Sequence, residues 1–137
     1  MIEYTVVGTF ILDDKQQISD WVQFTLDSEE KELGELNYIF CDDDYLHNIN
    51  VKTLNHNTLT DIISFDYTLG IVVSGDVYIS YERVKENADE LNLSFKDELH
   101  RVMIHGVLHY CGYKDKSAED KLTMRAKEDY YLSLRTF

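Results

Sequence analysis

The segment SFKDELHRVMIHGVLHYCG, residues 94–112, limits the possible folds more than any other part of the chain. It predicts a helix that starts with Ser94 as its cap, with Asp97 three residues later in the pattern of a capping box. Gly112 fits the left-handed position that ends many helices. From Val102 onward this helix is apolar nearly all round, so we expect it to be buried inside a larger fold.

The rest of the chain supplies elements that could surround such a helix. β-branched, aromatic and alternating apolar residues predict strands over residues 2–10, 34–42, 60–67 and 70–80, with Gly75 marking a bulge or turn. Helical spacing and acidic or serine starts predict helices over residues 16–29, 42–55, 81–92 and 117–137. We therefore expect one α+β domain over residues 1–137, with a small mixed sheet of about four strands packed against helices. The helix over residues 94–112, which we call the histidine helix because it carries His105 and His109, would lie buried at its centre, as in zincin-like proteins.

His105 and His109 stand four residues apart on this helix and therefore face the same way. Projection at the helical period puts Glu98 and Val102 on the same side. Imidazoles on a buried helix need polar partners, and the glycine that ends the helix lets Asp115 turn back toward them. Two imidazole nitrogens and one carboxylate oxygen predict a zinc site with a fourth position open for water. The alternative is a pair of core histidines satisfied by protein groups, which the apolar helix and the HxxxHxxxxxD spacing make less favourable. For Asp115 alone, a solvated acid that follows a helix remains the alternative.

Charge and cysteine content narrow the class of protein. The net charge of −13 opposes broad, non-specific binding of nucleic acid, so few residues, or a metal, would meet an anionic partner. Cys41 and Cys111 lack the CxxC spacing, which indicates a reduced protein that uses both as small apolar side chains. The first residues have neither a signal-peptide nor a membrane-span pattern. We expect a cytoplasmic protein with no membrane partner.

Several motifs together resemble the YbeY family of bacterial metal-dependent endoribonucleases, which act in ribosomal RNA maturation. HGVLHYCGYKD, residues 105–115, is similar to the family signature HGxLHxxGYDH. TDIISFDYTLGIVVSGDVYIS, residues 60–80, is similar to the family's TDVLSF followed by a strand with GDI or GDV. Asn50 stands at the family's distance before this second motif, and the resemblance spans roughly residues 36–130.

The resemblance implies an endoribonuclease that hydrolyses RNA phosphodiester bonds, of the single-strand type, with a metal-activated water. It implies one zinc ion per chain, here on His105, His109 and Asp115. It also implies action on small-subunit ribosomal RNA, a role in ribosome quality control, and contacts with ribosomal particles or assembly factors.

The chain departs from the family pattern in two motifs, at three positions. Lys114 and Asp115 stand where the family has Asp-His, so a carboxylate replaces the third imidazole. Leu54 stands where the family has an arginine linked to its work on RNA. Lys52, His56 and Lys114 are then the candidates for RNA contact, and His56 is the candidate for proton transfer. A solvated surface side chain is the alternative for each.

Gly106 occupies the position that holds the catalytic Glu of HExxH metallopeptidases, which argues against a peptidase. Asp61 is expected to order its loop, and Asp76 to mark the start of a strand or a bonded turn. The alternative for both is a catalytic role or a role in supporting the metal ligands. A second hypothesis is a ribosome-assembly binding factor with a structural metal and weak or no nuclease activity. The absent arginine and the charge of −13 favour this second hypothesis to some extent.

Overall fold

The computed structural model describes residues 1–54 and 60–137, with the backbone alone at 53 and 54. Strands and helices alternate in the first half of the chain, and helices complete the second half, so the α+β prediction is confirmed. The elements are β1 (Ile2–Val6), α1 (Lys15–Ser28), β2 (Glu32–Cys41), α2 (Asp43–Leu54), β3 (Ile62–Asp66), β4 (Val72–Ser80), α3 (Tyr81–Leu91), α4 (Phe95–Tyr110) and α5 (Ala118–Ser133).

The four strands form one mixed sheet with the order β1-β2-β4-β3. The pairs β1–β2 and β2–β4 are parallel, whereas β3 pairs antiparallel with β4 at one edge. The main core joins this sheet to α1, α4 and α5, and a smaller cluster around Leu46 and Ile63 lies where α2 meets the sheet. The sheet is thus covered by helices on both faces, which is the usual condition for parallel strands.

Gly75 does not mark a bulge or turn, because it pairs within the middle of β4. The irregularity lies on the neighbouring strand β2, between Leu33 and Leu36. Gly75 instead allows close packing: a Cβ there would lie 2.5 Å from Cζ of Tyr110 and 2.6 Å from the carbonyl oxygen of Phe65. The absence of a side chain lets α4 and β3 approach this strand.

Asp76 also differs from its sequence-based assignment. It lies in the middle of β4, and its Oδ1 accepts a hydrogen bond from Nδ2 of Asn37 on β2 over 3.0 Å. Its carbonyl oxygen accepts a bond from the Tyr110 hydroxyl over 3.1 Å. This residue therefore joins two strands and one helix, rather than starting a strand.

Local signals set both ends of α4. The Ser94 hydroxyl accepts the backbone N–H of Asp97 over 3.0 Å, which confirms the predicted cap. At the other end Gly112 has φ of 104°, the left-handed conformation expected there. A capping box between Ser117 and Asp120 then starts α5. The two helix ends confine the intervening turn, which carries Asp115.

Over the described part of the chain, no helix has both the length and the apolar character to cross a membrane.

Candidate metal centre

The structure brings His105, His109 and Asp115 together at the end of α4. The two Nε2 atoms lie 3.0 Å apart. Oδ2 of Asp115 lies 3.3 Å from each of them. One ligand atom from each residue falls within 4.8 Å of the others, as a shared ion requires. Zinc held tetrahedrally at ~2.0 Å from each ligand atom would set those atoms roughly 3.3 Å apart, so the spacing fits such an ion.

The opposite nitrogens of both rings are held by hydrogen-bond acceptors. Nδ1 of His105 lies 2.7 Å from Oε2 of Glu128, and Nδ1 of His109 lies 2.9 Å from the carbonyl oxygen of Tyr113. Because a carboxylate and a carbonyl can only accept, each Nδ1 carries the proton. With the proton on Nδ1, the Nε2 atom of each ring is the one that can bind a metal, and both Nε2 atoms face the same point. Two lone pairs that converge in this way, beside a carboxylate oxygen, need a cation between them.

Glu128 on α5 links this centre to a cation. Its carboxylate is buried and accepts a hydrogen bond from Nη1 of Arg101 over 3.0 Å. Burial alone would raise the pKa of Glu128, but its bonds to His105 and Arg101 outweigh burial, and the pKa is lowered. Burial would likewise lower the pKa of His105, but Glu128 and Asp115 outweigh it, and that pKa is raised. Glu128 therefore stays ionised and increases the basicity of the His105 ring.

The turn that carries Asp115 is held from the opposite side by Glu29. The Glu29 carboxylate accepts hydrogen bonds from the hydroxyls of Tyr113 (2.6 Å) and Tyr131, and it pairs with Lys127 over 3.1 Å. Tyr113 is also the residue whose carbonyl oxygen orients His109. A network that begins at the end of α1 thus fixes both an imidazole and the path of the chain toward Asp115.

Gly106 shows why no glutamate follows the first histidine. It is buried, and a Cβ at this position would lie 3.3 Å from Cδ1 of Ile62 and 3.3 Å from Cγ1 of Val77. A side chain here would point at the apolar face of the sheet, away from the converging imidazoles. The general base of a HExxH peptidase therefore has no place in this site.

A cleft of about 580 Å³ opens over the three candidate ligands. Its lining comes from β3 and the segment that leads into it, from α4, from α5 and from the turn between these two helices. The described residues that line it are Thr60, Asp61, Ile62, Ser64, Glu98, Arg101, Val102, His105, His109, Asp115, Lys121, Met124, Arg125 and Glu128. Glu98, Val102 and the two histidines share one face of α4, as the helical projection predicts.

Asp61 has two roles in the structure, one in its loop and one in the cleft. Its side chain lines the cleft, and its carbonyl oxygen accepts the backbone N–H of Ser80 over 3.0 Å, which orders the entry to β3. Burial raises the pKa of Asp61, against the opposing effects of its local backbone bonds and of His105. Asp61 thus both orders its loop, as expected, and adds a half-buried carboxyl group to the cleft.

Among the residues that the structure describes, the cations that line the cleft differ from those expected from the sequence. Lys52 and Lys114 are exposed, and neither belongs to the described lining. His56 and the side chain of Leu54 lie outside the described residues.

Arg101 on α4, with Lys121 and Arg125 on α5, supplies the positive charge instead. Their spacing gives the only sequence signal: Lys121 and Arg125 stand four apart on a helix, and Arg101 stands four before His105. That signal does not say which face of α5 meets the cleft, because the packing of α5 on α4 decides it.

Comparison with known proteins adds an independent line of observation. The model of the family described as Endoribonuclease YbeY matches residues 9–135. The Endoribonuclease YbeY of Flavobacterium johnsoniae is 57% identical over 134 residues, covering 98% of this chain and 96% of that protein. That of Bacteroides fragilis is 41% identical over 135 residues, covering 98% and 97%. Among solved structures, the solution structure of TM1509 from Thermotoga maritima has a TM-score of 0.71 and 25% identity, covering 97% of this chain and 87% of that one.

Proposed function

Because this chain belongs to the YbeY family of endoribonucleases, we propose that it hydrolyses phosphodiester bonds within RNA and acts in ribosomal RNA maturation. The proposal includes a single domain over residues 1–137, a cytoplasmic location, small-subunit ribosomal RNA as substrate and one zinc ion per chain. The observation that carries it is the convergence of two imidazole lone pairs and a carboxylate oxygen at the floor of an open cleft.

His105, His109 and Asp115 would hold the ion. A divalent metal bound there supplies a lowered pKa for a coordinated water and positive charge for a phosphate oxygen. Glu128 keeps the His105 ring in the tautomer that presents Nε2, and the Tyr113 carbonyl does the same for His109. Because one ligand is a carboxylate, the centre carries less positive charge than a site with three histidines.

Lys121 and Arg125 are the proposed contacts for RNA phosphates. Both side chains are exposed and line the cleft, and the Nη1 of Arg125 lies 3.7 Å from Glu128. Arg101 is bound to Glu128 and Asp129 by both of its terminal nitrogens, so its main role is to hold α5 beside α4. Four of the described residues that line the cleft are acids, so Lys121 and Arg125, together with the charge of a bound metal, would be what lets a chain with a net charge of −13 meet RNA phosphates there. The family has an arginine where this chain has Leu54. Lys121 and Arg125 would supply positive charge in place of that arginine.

A peptidase is disfavoured, because the position of its general base is Gly106 and faces the sheet.

The hypothesis of a ribosome-assembly binding factor shares the metal and the RNA contacts with the nuclease proposal, and differs from it only in the absence of turnover. Sedimentation with small-subunit particles tests the proposed ribosomal partner. Comigration of the wild type, weakened when Lys121 and Arg125 are both changed to Ala, is expected. A protein that stays at the top of the gradient under all salt conditions contradicts this partner.

Cleavage of a structured small-subunit ribosomal RNA fragment tests the proposed activity. The purified chain is expected to cut the fragment, to lose this activity with a chelator, and to regain it when zinc is added. His109→Ala should remain inactive at every zinc concentration. His47→Gln is the matched control, because His47 lies on α2 and is not part of the described cleft lining. This variant should cleave like the wild type. Equal cleavage by wild type and His109→Ala contradicts the proposed site.

A further inference from the structure

Glu98 is a buried acid that the proposed reaction leaves without a role. Its relative exposure is 6%, yet it lines the cleft. Among the described residues its Oε2 atom is buried and has no hydrogen-bond partner. Burial raises the pKa of Glu98, which means that its carboxylate lacks the stabilisation that a donor would give. A buried acceptor of this kind is costly unless something in the cleft completes it.

The position of Glu98 separates it from the chemistry at the metal centre. It precedes His105 by seven residues, two helical turns, and the two side chains share a face of α4. That spacing corresponds to about 10 Å along the helix axis, and Val102 lies between them in the lining. A proton-transfer group must lie within hydrogen-bond reach of the attacking water or the leaving oxygen, and a spacing of two helical turns places Glu98 poorly for that role. A strand with its scissile phosphate at the metal centre would instead place a neighbouring nucleotide over Glu98.

Charges around the cleft orient such a strand. The exposed cations Lys121 and Arg125 stand on α5, and the buried acid of that helix, Glu128, is bonded to Arg101 and His105. The remaining acids of the described lining outside the metal centre are buried Glu98 on α4 and half-buried Asp61 in the segment before β3. Phosphates are attracted to the α5 side and repelled by the acids. The ribose and base, which carry hydrogen-bond donors, are therefore the parts of a nucleotide that can lie against Glu98.

We propose that Oε2 of Glu98 accepts a hydrogen bond from a donor on the nucleotide beside the scissile phosphate, so that this contact selects the strands that the cleft accepts. The donor is a ribose 2′-hydroxyl or a base amino group. A site built to bond a donor rejects an analogue that lacks it, because the buried acceptor is then left unpaired. The inference rests on the proposed function, since it takes RNA as the occupant of the cleft.

Fluorescence anisotropy with the full zinc-loaded chain tests this contact without relying on turnover. The probes are single-stranded oligonucleotides with phosphorothioate linkages, which resist hydrolysis. One has ribose throughout, and a second has the same bases on 2′-deoxyribose. The third replaces guanosine, adenosine and cytidine by inosine, nebularine and zebularine, and so lacks every base amino group. The wild type is expected to bind the first probe about tenfold more tightly than one of the other two, the usual effect of losing a bond to a charged acceptor. Sensitivity to the second probe identifies the hydroxyl as the donor, and sensitivity to the third identifies the amine.

Variants assign that preference to Glu98. Glu98→Ala should bind all three probes within about twofold of one another, whereas Glu98→Gln keeps the size and one acceptor oxygen and should retain most of the preference. Glu119→Ala removes an exposed acid of α5 outside the described lining, and should behave like the wild type. A wild type with no preference among the probes, or a preference that survives in Glu98→Ala, overturns the proposal. If the chain cleaves RNA but shows no preference that depends on Glu98, only this inference is contradicted. If the preference is present but the chain does not cleave RNA, only the proposed activity is contradicted.

Discussion

The buried carboxylate of Glu128 on α5 lies 2.7 Å from Nδ1 of His105 on α4 and fixes the ring that directs Nε2 toward Asp115. Glu128→Gln removes the charge while keeping an acceptor oxygen. We expect zinc affinity to fall about tenfold, because the ring loses basicity and orientation. Competition with a chromogenic chelator measures this affinity. Asp129→Asn is the control, since Asp129 also pairs with Arg101 but is exposed and does not touch His105. Equal zinc affinity in Glu128→Gln and the wild type contradicts this role.

Asp115 is expected to be a metal ligand in place of the family's third histidine. Asp115→Ala should lower zinc affinity by more than the ~100-fold that follows loss of a supporting hydrogen bond to a ligand. Asp115→His, which restores the family's residue type, should retain about one zinc ion per chain after dialysis. Metal content by atomic emission checks both. Full retention of zinc in Asp115→Ala would mean that the ion is held by other groups.

Lys121 and Arg125 are expected to bind RNA phosphates through charge. Each change to Ala should weaken binding of a single-stranded RNA and reduce the slope of log K against log salt by about 0.7. Anisotropy titrations at several salt concentrations measure the slope. Lys85→Ala is the matched control, because Lys85 is an exposed cation on α3 outside the described lining. An unchanged slope in both cleft variants contradicts the proposed contacts.

His100 gives the fold a sensitivity to acid that is separate from the metal centre. It is 2% exposed, and its Nδ1 accepts a hydrogen bond from Arg135 over 2.7 Å. Burial, together with Arg135 and Lys96, lowers the pKa of His100 to about 4. Because the unfolded chain binds this proton near pH 6.5 and the folded chain does not, stability falls between pH 6.5 and pH 4.

Between pH 7 and pH 5, His100 should account for a loss of about 2 kcal/mol in the free energy of unfolding. Urea denaturation of the metal-free chain at both pH values measures this loss. His100→Gln removes the titrating group and should show a smaller drop over the same range. A drop as large in His100→Gln as in the wild type would assign the acid sensitivity to other groups.

Local signals made the histidine helix and its ends predictable from the sequence. The Ser94 cap, the Gly112 exit and the shared face of His105 and His109 depend on residues within a few positions of one another. The predicted approach of Asp115 depended on one glycine and a short turn, and the structure brings its carboxylate within 3.3 Å of both rings.

Features that depend on distant packing were not predictable in this way. Glu128, Lys121 and Arg125 face the cleft because α5 lies against α4. The sequence pattern of α5 alone does not predict how this helix packs on α4. The sequence correctly placed Gly75 on a strand but wrongly assigned it to a bulge or turn. The irregularity lies on β2, and the glycine is needed because Tyr110 approaches the strand closely. Strand order has the same origin: β1, β2 and β4 are parallel through pairings that span more than thirty residues.

A zinc titration of the metal-free chain, with the initial rate of RNA cleavage as readout, tests most directly whether His105, His109 and Asp115 form one catalytic metal centre. The rate is predicted to rise in proportion to added zinc and to level off at about one ion per chain, with no rise at all for His109→Ala. Full cleavage by the metal-free chain, or the same titration curve for His109→Ala, would contradict the account.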